Sequence, residues 1–322
     1  MGTYERLRAF FVRLQQGQGV PMRLPVLPLT AAALLSSAVS AHAVVRGAVV
    51  RDPNGLRQSV VRIESSRGEL CSGTLIAPTL VLTAAHCLQQ RAAYRVVAVD
   101  RAFRQRAVRA VAGTLHPAFV PGTTPRTQPG VDLALLKLAQ PLRGDFAPLS
   151  PRSAAPVGPG QPVELAGFGA VDESAFGTAR VLRQTQLVSL GTLQVANRVL
   201  VAADPQRLAA RTGAGACRGD SGGPILQDGR LVGVVSWSAG AFRSGTACGG
   251  FTAVTPLAEH GSWIASSAAE LNRVGPPPSV DPSGRYAASR ARRAAPAYSG
   301  RRDAARERGE VGAIGCDDRR LC

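Results

Sequence analysis

The sequence predicts an all-β fold of antiparallel barrels followed by a single C-terminal helix. Three observations carry that prediction. Short segments alternating apolar and polar residues recur through the middle of the chain, the period of a strand with one buried face. Turn-forming residues separate them, drawn from 35 glycines and 23 prolines in 322 residues. No helical period is sustained until the end of the folded region.

In chain order, the predicted strands are 59–64, 73–82, Tyr94–Val99, 132–138, 162–165, 179–188, 224–226 and 231–236. Asp52-Pro53-Asn54-Gly55 and Gln227-Asp228-Gly229 are turns between them. Residues 256–272 read as the helix, with Leu257, Ile264 and Leu271 on a repeating face and Trp263 beside them. From Gly275 the composition changes to Pro, Ala, Ser and Arg with few apolar residues, so 275–322 is read as a disordered tail.

A length of 322 residues suffices for one large domain or two small ones, and 45% hydrophobic content fits a packed core. The formal net charge is +17, with one lysine, Lys137, against 37 arginines. The bland reading is a compositional bias towards arginine. No basic motif interleaved with aromatics appears, so no specific nucleic-acid site is expected. The competing reading is weak binding to anionic surfaces through the Arg-rich regions.

Residues 24–39 are apolar, but too short and too broken by Pro25 and Pro28 to span a membrane. Arg23 precedes them and Ala41-His42-Ala43 follows, a small-x-small cleavage pattern, so the leader reads as a secretory signal peptide. Initiation at Met22 would make that signal compact; initiation at Met1 would leave a longer leader. The expected organisation is a leader at 1–43, a folded domain at 44–274 and the tail at 275–322. The expected location is secreted or periplasmic. Six cysteines suit an oxidising compartment. None of their spacings suits a zinc site, and no metal or cofactor is expected.

The motif richest in chemistry is Cys217-Arg218-Gly219-Asp220-Ser221-Gly222-Gly223-Pro224. A serine flanked by glycines lets backbone come close to a bound acyl group, and the N–H groups of Gly219 and Ser221 can point at one oxyanion. Leu82-Thr83-Ala84-Ala85-His86-Cys87 supplies a base. Val131-Asp132-Leu133-Ala134-Leu135-Leu136-Lys137-Leu138 supplies a carboxylate at the start of an apolar run. Of the four histidines, His42 falls in the leader, and His116 and His260 lie in no comparable motif.

These three motifs, in the order His, Asp, Ser, resemble the chymotrypsin/trypsin-like serine endopeptidases over about residues 44–274. The resemblance implies two antiparallel six-stranded barrels. One triad residue would come from each barrel and one from the region between, with the C-terminal helix packed on the second barrel. It implies Ser221 as nucleophile, His86 as general base, Asp132 as the group that orients the imidazole, and protein or peptide substrates. It pairs Cys71 with Cys87 and Cys217 with Cys248. Cys316 and Cys322 bridge each other, pair with another chain or stay free. Cleavage after Ala43 would free the α-ammonium of Val44 to insert beside Asp220; the alternative is a cut elsewhere, with Asp220 held by another partner. Ala166-Gly167-Phe168-Gly169 matches the family's Gly-aromatic-Gly turn, with Phe in place of Trp.

The pocket departs from the trypsin pattern. Trypsins carry an aspartate where this chain has Gly215, next to Ala216. The opposite wall, Ser236-Trp237-Ser238 and Gly249, offers no carboxylate. An uncharged residue is therefore expected before the scissile bond. The backbone of 236–238 is expected to pair with an extended substrate, Ser238 to narrow the entrance, and Trp237 to be either a substrate platform or a core residue. The rival to a protease is a binding module of the same fold in which cleavage is secondary or lost.

Overall fold

The computed structural model describes residues 44–52, 55–151 and 156–275. The leader, Pro53 and Asn54 of the first turn, and the tail with Cys316 and Cys322 lie outside the described residues. Among the described residues, thirteen strands and one α-helix are formed. The first barrel is built from β2 (Val60–Ser65), β3 (Leu70–Ala77), β4 (Leu80–Thr83), β5 (Tyr94–Val99), β6 (Gln105–Leu115) and β7 (Ala134–Leu138). It closes in the order β2-β3-β4-β7-β6-β5. The second is built from β8 (Pro162–Gly167), β9 (Arg183–Gln194), β10 (Arg198–Ala203), β11 (Pro224–Gln227), β12 (Arg230–Ala239) and β13 (Phe251–Pro256). It runs β9-β10-β13-β12-β11-β8 and closes where β8 pairs with β9. The two-residue β1 (Ala48–Val49) adds to the edge of β9.

Most strands expected from alternation are present, because one face of each barrel strand fills a core and the other meets solvent or the other barrel. In β7, Leu135, Leu136 and Leu138 are buried. Lys137 turns out to donate to Thr79 Oγ1 and Asn272 Oδ1, both at 2.9 Å. The expected strand at 73–82 is in fact two. Pro78, with no N–H to give a ladder, sits in a turn, and β3 folds back on β4 with Ala77 opposite Leu80. β10 and β13 carry no alternation signal because nearly every residue in them is buried, so both faces are apolar. β6 hid for the opposite reason: Arg106 and Arg109 break up its apolar positions.

The helix, α1 (Gly261–Arg273), is shorter than expected, since Pro256 ends β13 and residues 257–260 form a turn. It also packs elsewhere than the resemblance implied. Its strand contacts are with β6 and β7 of the first barrel. Ile264 and Leu271 join the apolar cluster of Leu133, Leu135 and Leu136, which continues through Leu257 to Leu231 and Leu226 of the second barrel. The helix thus packs on the first barrel, and the turn before it carries the apolar cluster on to the second.

At the start of α1, His260 meets His116 edge-on with ring centroids 5.0 Å apart, and Trp263 lies 4.8 Å from His116. Burial, reinforced by the charge of His260, lowers the His116 pKa to about 4. Burial lowers that of His260 as well, against the pull of Glu259. Both imidazoles are therefore neutral in the fold but protonate in the unfolded chain below about pH 6.5. The unfolded state binds the extra protons, so stability falls as pH drops from about 6.5 towards about 4. Urea unfolding at about pH 7 and about pH 5 is expected to show a loss of stability that is reduced in His116→Gln; an unchanged loss would exclude this pair as its source.

Candidate active site

His86 lies in a short 3₁₀ turn, Ala85–Leu88, directly after β4. A disulfide from Cys87 to Cys71 on β3 ties that turn to the barrel. Asp132 precedes β7 by two residues, so it belongs to the first barrel and not to the region between the barrels as expected. Leu115–Ala134 and Thr83–Ala134 pairing brings the start of β7 beside the end of β4, which is why these two residues meet.

Asp132 is fully buried and has three donors. The His86 ring presents Nδ1 to Oδ2 at 2.8 Å, and the His86 backbone N–H donates to Oδ1 at 2.9 Å. From the second barrel, the Ser236 hydroxyl donates to Oδ2 at 2.5 Å. Burial pushes the Asp132 pKa up, but the His86 charge and these hydrogen bonds outweigh it, and the carboxyl is held below its ordinary value. Asp132 is therefore a carboxylate, and the proton of the shared bond sits on Nδ1. This leaves Nε2 as the ring's unprotonated nitrogen, 3.8 Å from Cys87 Sγ, on a side chain that is 15% exposed.

Ser221 sits on a turn just before β11, partly exposed. The turn is wedged against the first barrel by Ser72 of β3. Ser72 N–H donates to Ser221 O and its hydroxyl to Gly219 O, both at 2.8 Å, and that hydroxyl also accepts from Phe168 N–H at 2.9 Å. A Cβ at Gly222 would lie 2.3 Å from Ser72 O, so only glycine fits this approach. Gly219 has a φ of +98°, and its N–H has no acceptor among the described residues. The Ser221 N–H is likewise free among the described residues. Two unspent N–H donors beside one serine are the kind of group that can receive an anion. Nothing in the sequence pattern pointed to Ser72, or to the Ser236 side chain as a partner of Asp132, since each is a plain polar position in a strand.

Asp220 is fully buried. Its carboxyl accepts the N–H groups of Gly169 at 2.8 Å and Cys217 at 2.9 Å. It fits only because Gly167 and Gly169 lack side chains; a Cβ at either would lie within 2.4 Å of a carboxyl atom. Burial raises its pKa to about 7, opposed by those two donors and by the charge of Arg183. Arg183 is itself buried on β9, directly opposite Gly167. The described residues show no ion pair to Asp220 within 4.0 Å, in a chain where Val44 is still an internal residue. The Val44 side chain is fully buried beside Ala214 and Ala216, and Gly215 N–H donates to Val45 O at 3.2 Å.

The expected pocket residues lie close together. Gly215 faces Gly249 and Thr252: a Cβ on it would be 3.4 Å from Thr252 Oγ1 and 3.5 Å from Gly249 Cα. Ala216 N–H donates to Thr252 Oγ1 at 3.0 Å, and the Cys217–Cys248 disulfide closes the wall. Asp172 and Glu173 line a neighbouring cavity of about 390 Å³ with Val45, Thr212, Thr246 and Cys248, but Gly215 and Ala216 do not. The Ser238 hydroxyl donates to Ala247 O at 2.8 Å. Trp237 is 7% exposed on β12.

A model of the family described as Trypsin matches residues 45–264. Trypsin iota of Drosophila melanogaster is 30% identical over 187 residues, covering 55% of this chain and 71% of that protein. An uncharacterized peptidase of Corynebacterium glutamicum (strain R) is 30% identical over 243 residues, covering 74% of this chain and 78% of that protein. The solved structure of human heparin binding protein superposes with a TM-score of 0.55 at 24% identity, over 73% of this chain and all of that one; this likeness shows the fold.

The Ser236 hydroxyl is one of three donors to a buried charge. Ser236→Ala is expected to cost about 1–3 kcal/mol of unfolding free energy, measured by urea titration at neutral pH, because the carboxylate loses a partner that water cannot replace.

Proposed function

The chain belongs to the trypsin family of serine endopeptidases, and from that premise we propose that Ser221, His86 and Asp132 carry out the hydrolysis. The observation that carries this assignment is the His86–Asp132 contact at 2.8 Å on a fully buried carboxylate, with Ser221 on the adjoining turn beside two free N–H donors.

The steps follow from the chemistry of the groups. A serine hydroxyl is a weak nucleophile until a base removes its proton. His86 Nε2 takes the proton from Ser221 Oγ as that oxygen attacks the peptide carbonyl. Asp132 holds the ring in the tautomer that leaves Nε2 unprotonated, and stabilises the imidazolium that forms. The carbonyl oxygen becomes an oxyanion, received by the N–H groups of Gly219 and Ser221; one such donor contributes about 3 kcal/mol in the transition state. His86 returns the proton to the departing amine. Water then repeats the sequence on the acyl-enzyme, restoring Ser221.

The floor at Gly215 and Ala216 has no carboxylate, so a substrate Arg or Lys would be buried without a partner. The residue before the scissile bond is proposed to be uncharged. The chain is proposed to be secreted, with Val44 as the mature terminus. Its α-ammonium would then give Asp220 an ion-pair partner, which its full burial and its carboxyl raised to about 7 by that burial support.

Two experiments test these assignments. Ser221→Ala or His86→Ala is expected to lower kcat by about 10⁶ in a peptide-hydrolysis assay; near-native turnover by either variant refutes the triad. Cleavage-site profiling of the purified secreted protein, with its N-terminus sequenced, is expected to show uncharged residues before the cut and Val44 at the terminus. A profile dominated by Arg or Lys overturns the pocket assignment, and a terminus far from Val44 overturns the activation assignment.

A further inference from the structure

β12 is laddered to β13 along one side as far as Ala239. On its other side, β11 covers it only from Arg230 to Val234. That ladder ends where Gly222 N–H donates to Val235 O at 2.7 Å and Val235 N–H donates to Gly223 O at 2.9 Å. From Ser236 to Ala239 this side has no strand partner among the described residues. An extended peptide laid there continues the sheet up to the turn that carries Ser221.

Arg126 reaches this edge. Its Nη2 donates to Ser238 O at 2.5 Å, and its guanidinium carbon lies 5.6 Å from the centroid of the Trp237 ring. The side chain is exposed and has no carboxylate within 4.0 Å among the described residues.

The loop that presents Arg126 is held rigidly. Gln128 is fully buried at its centre. Its Oε1 accepts Val120 N–H at 3.0 Å and Gly130 N–H at 2.9 Å, and its Nε2 donates to Val120 O at 3.0 Å and Thr123 Oγ1 at 2.7 Å. Thr124 and Thr127 bracket Arg126, with their hydroxyls 2.9 Å apart. Asn197 Nδ2 donates to Gly130 O at 2.9 Å, anchoring the loop to the second barrel. A cation on such a support is aimed at its position rather than free to wander.

We propose that Arg126 is a specificity-determining residue that selects substrates carrying Asp or Glu upstream of the scissile bond, at the residue lying over Trp237 and against Ser238. The inference rests on the peptidase reading above. A substrate N–H pairing with Ser238 O takes over the acceptor that Arg126 now occupies. The displaced guanidinium loses a neutral partner and has no acid of its own, so a substrate carboxylate satisfies it with a stronger, charge-assisted and bidentate contact. A substrate Lys or Arg at that position meets like charge. The enzyme would then read two features of a peptide, an uncharged residue at the cut and an acidic one upstream.

The test measures binding to the Ser221→Ala chain by fluorescence anisotropy, at low and high salt. The peptides are identical except for Glu or Gln at each upstream position in turn. At one position Glu is expected to bind about three- to fivefold more tightly than Gln at low salt, as for a solvent-exposed charge pair, with the gap shrinking at high salt. Adding Arg126→Gln should erase the gap, and adding Arg126→Glu should make Lys preferred there. In the active enzyme, Arg126→Gln should raise KM for the Glu peptide and leave kcat nearly unchanged. Equal Glu-to-Gln ratios with and without Arg126 at every position overturn the proposal. Failure of the peptidase reading would show separately, as loss of hydrolysis in the chain with Ser221 intact, while the binding ratios stay readable.

Discussion

The buried carboxylate of Asp132 is the constraint around which the two barrels are arranged. A fully buried charge is tolerable only when it is hydrogen-bonded and paired. Asp132 meets that condition with groups from two separately closed sheets: the ring and backbone of His86 from the first, and the hydroxyl of Ser236 from the second. Separating the barrels would strand the charge. The same contacts fix the imidazole, so the requirement that stabilises the interface also sets the geometry of the base. The turn at 257–260 and the helix α1 that follows add apolar packing to the same cluster, through Leu257 from the turn and Ile264 and Leu271 from the helix.

The nucleophile turn is held by a second set of buried polar contacts. Ser72 of the first barrel grips it through Gly219 O and Ser221 O, and the buried carboxyl of Asp220 pins it to Gly169 and Cys217 from below. These contacts consume backbone carbonyls and leave the N–H groups of Gly219 and Ser221 without acceptors. The polar groups around the turn are thus satisfied, and those two donors are left for the oxyanion of the proposed reaction. Asp220 is the weak point of this arrangement, because its burial costs more than its two N–H donors return, and Arg183 is the buried charge that acts on it.

Much of the site was legible in the sequence, for a chemical reason. Ser221, His86 and Asp132, the residues proposed for the reaction, each stand in a local motif of small or apolar neighbours. The two disulfides follow from those motifs by resemblance. Less of the detail of the fold was legible, and the misses have separate causes. β10 and β13 are buried on both faces, so they lack the alternation that marks a strand. The β3–β4 hairpin read as one strand because its turn at Pro78 is only two residues long. The helix appeared to begin at Pro256 because the apolar face that suggested it includes Leu257, which is buried in a turn.

What the sequence alone determined was the fold class and the family, together with the residues proposed as nucleophile, base and carboxylate in that family's order. These depend on residue identity within a few positions, which local pattern records. The tertiary structure alone decided which groups serve those residues from a distance. Ser236 satisfies Asp132 from 104 residues away, Ser72 holds the nucleophile turn from 147, and Arg126 meets Ser238 from 112. Such partners are brought together by barrel closure and strand register, which depend on the packing of the whole chain and leave no mark in any short stretch of it.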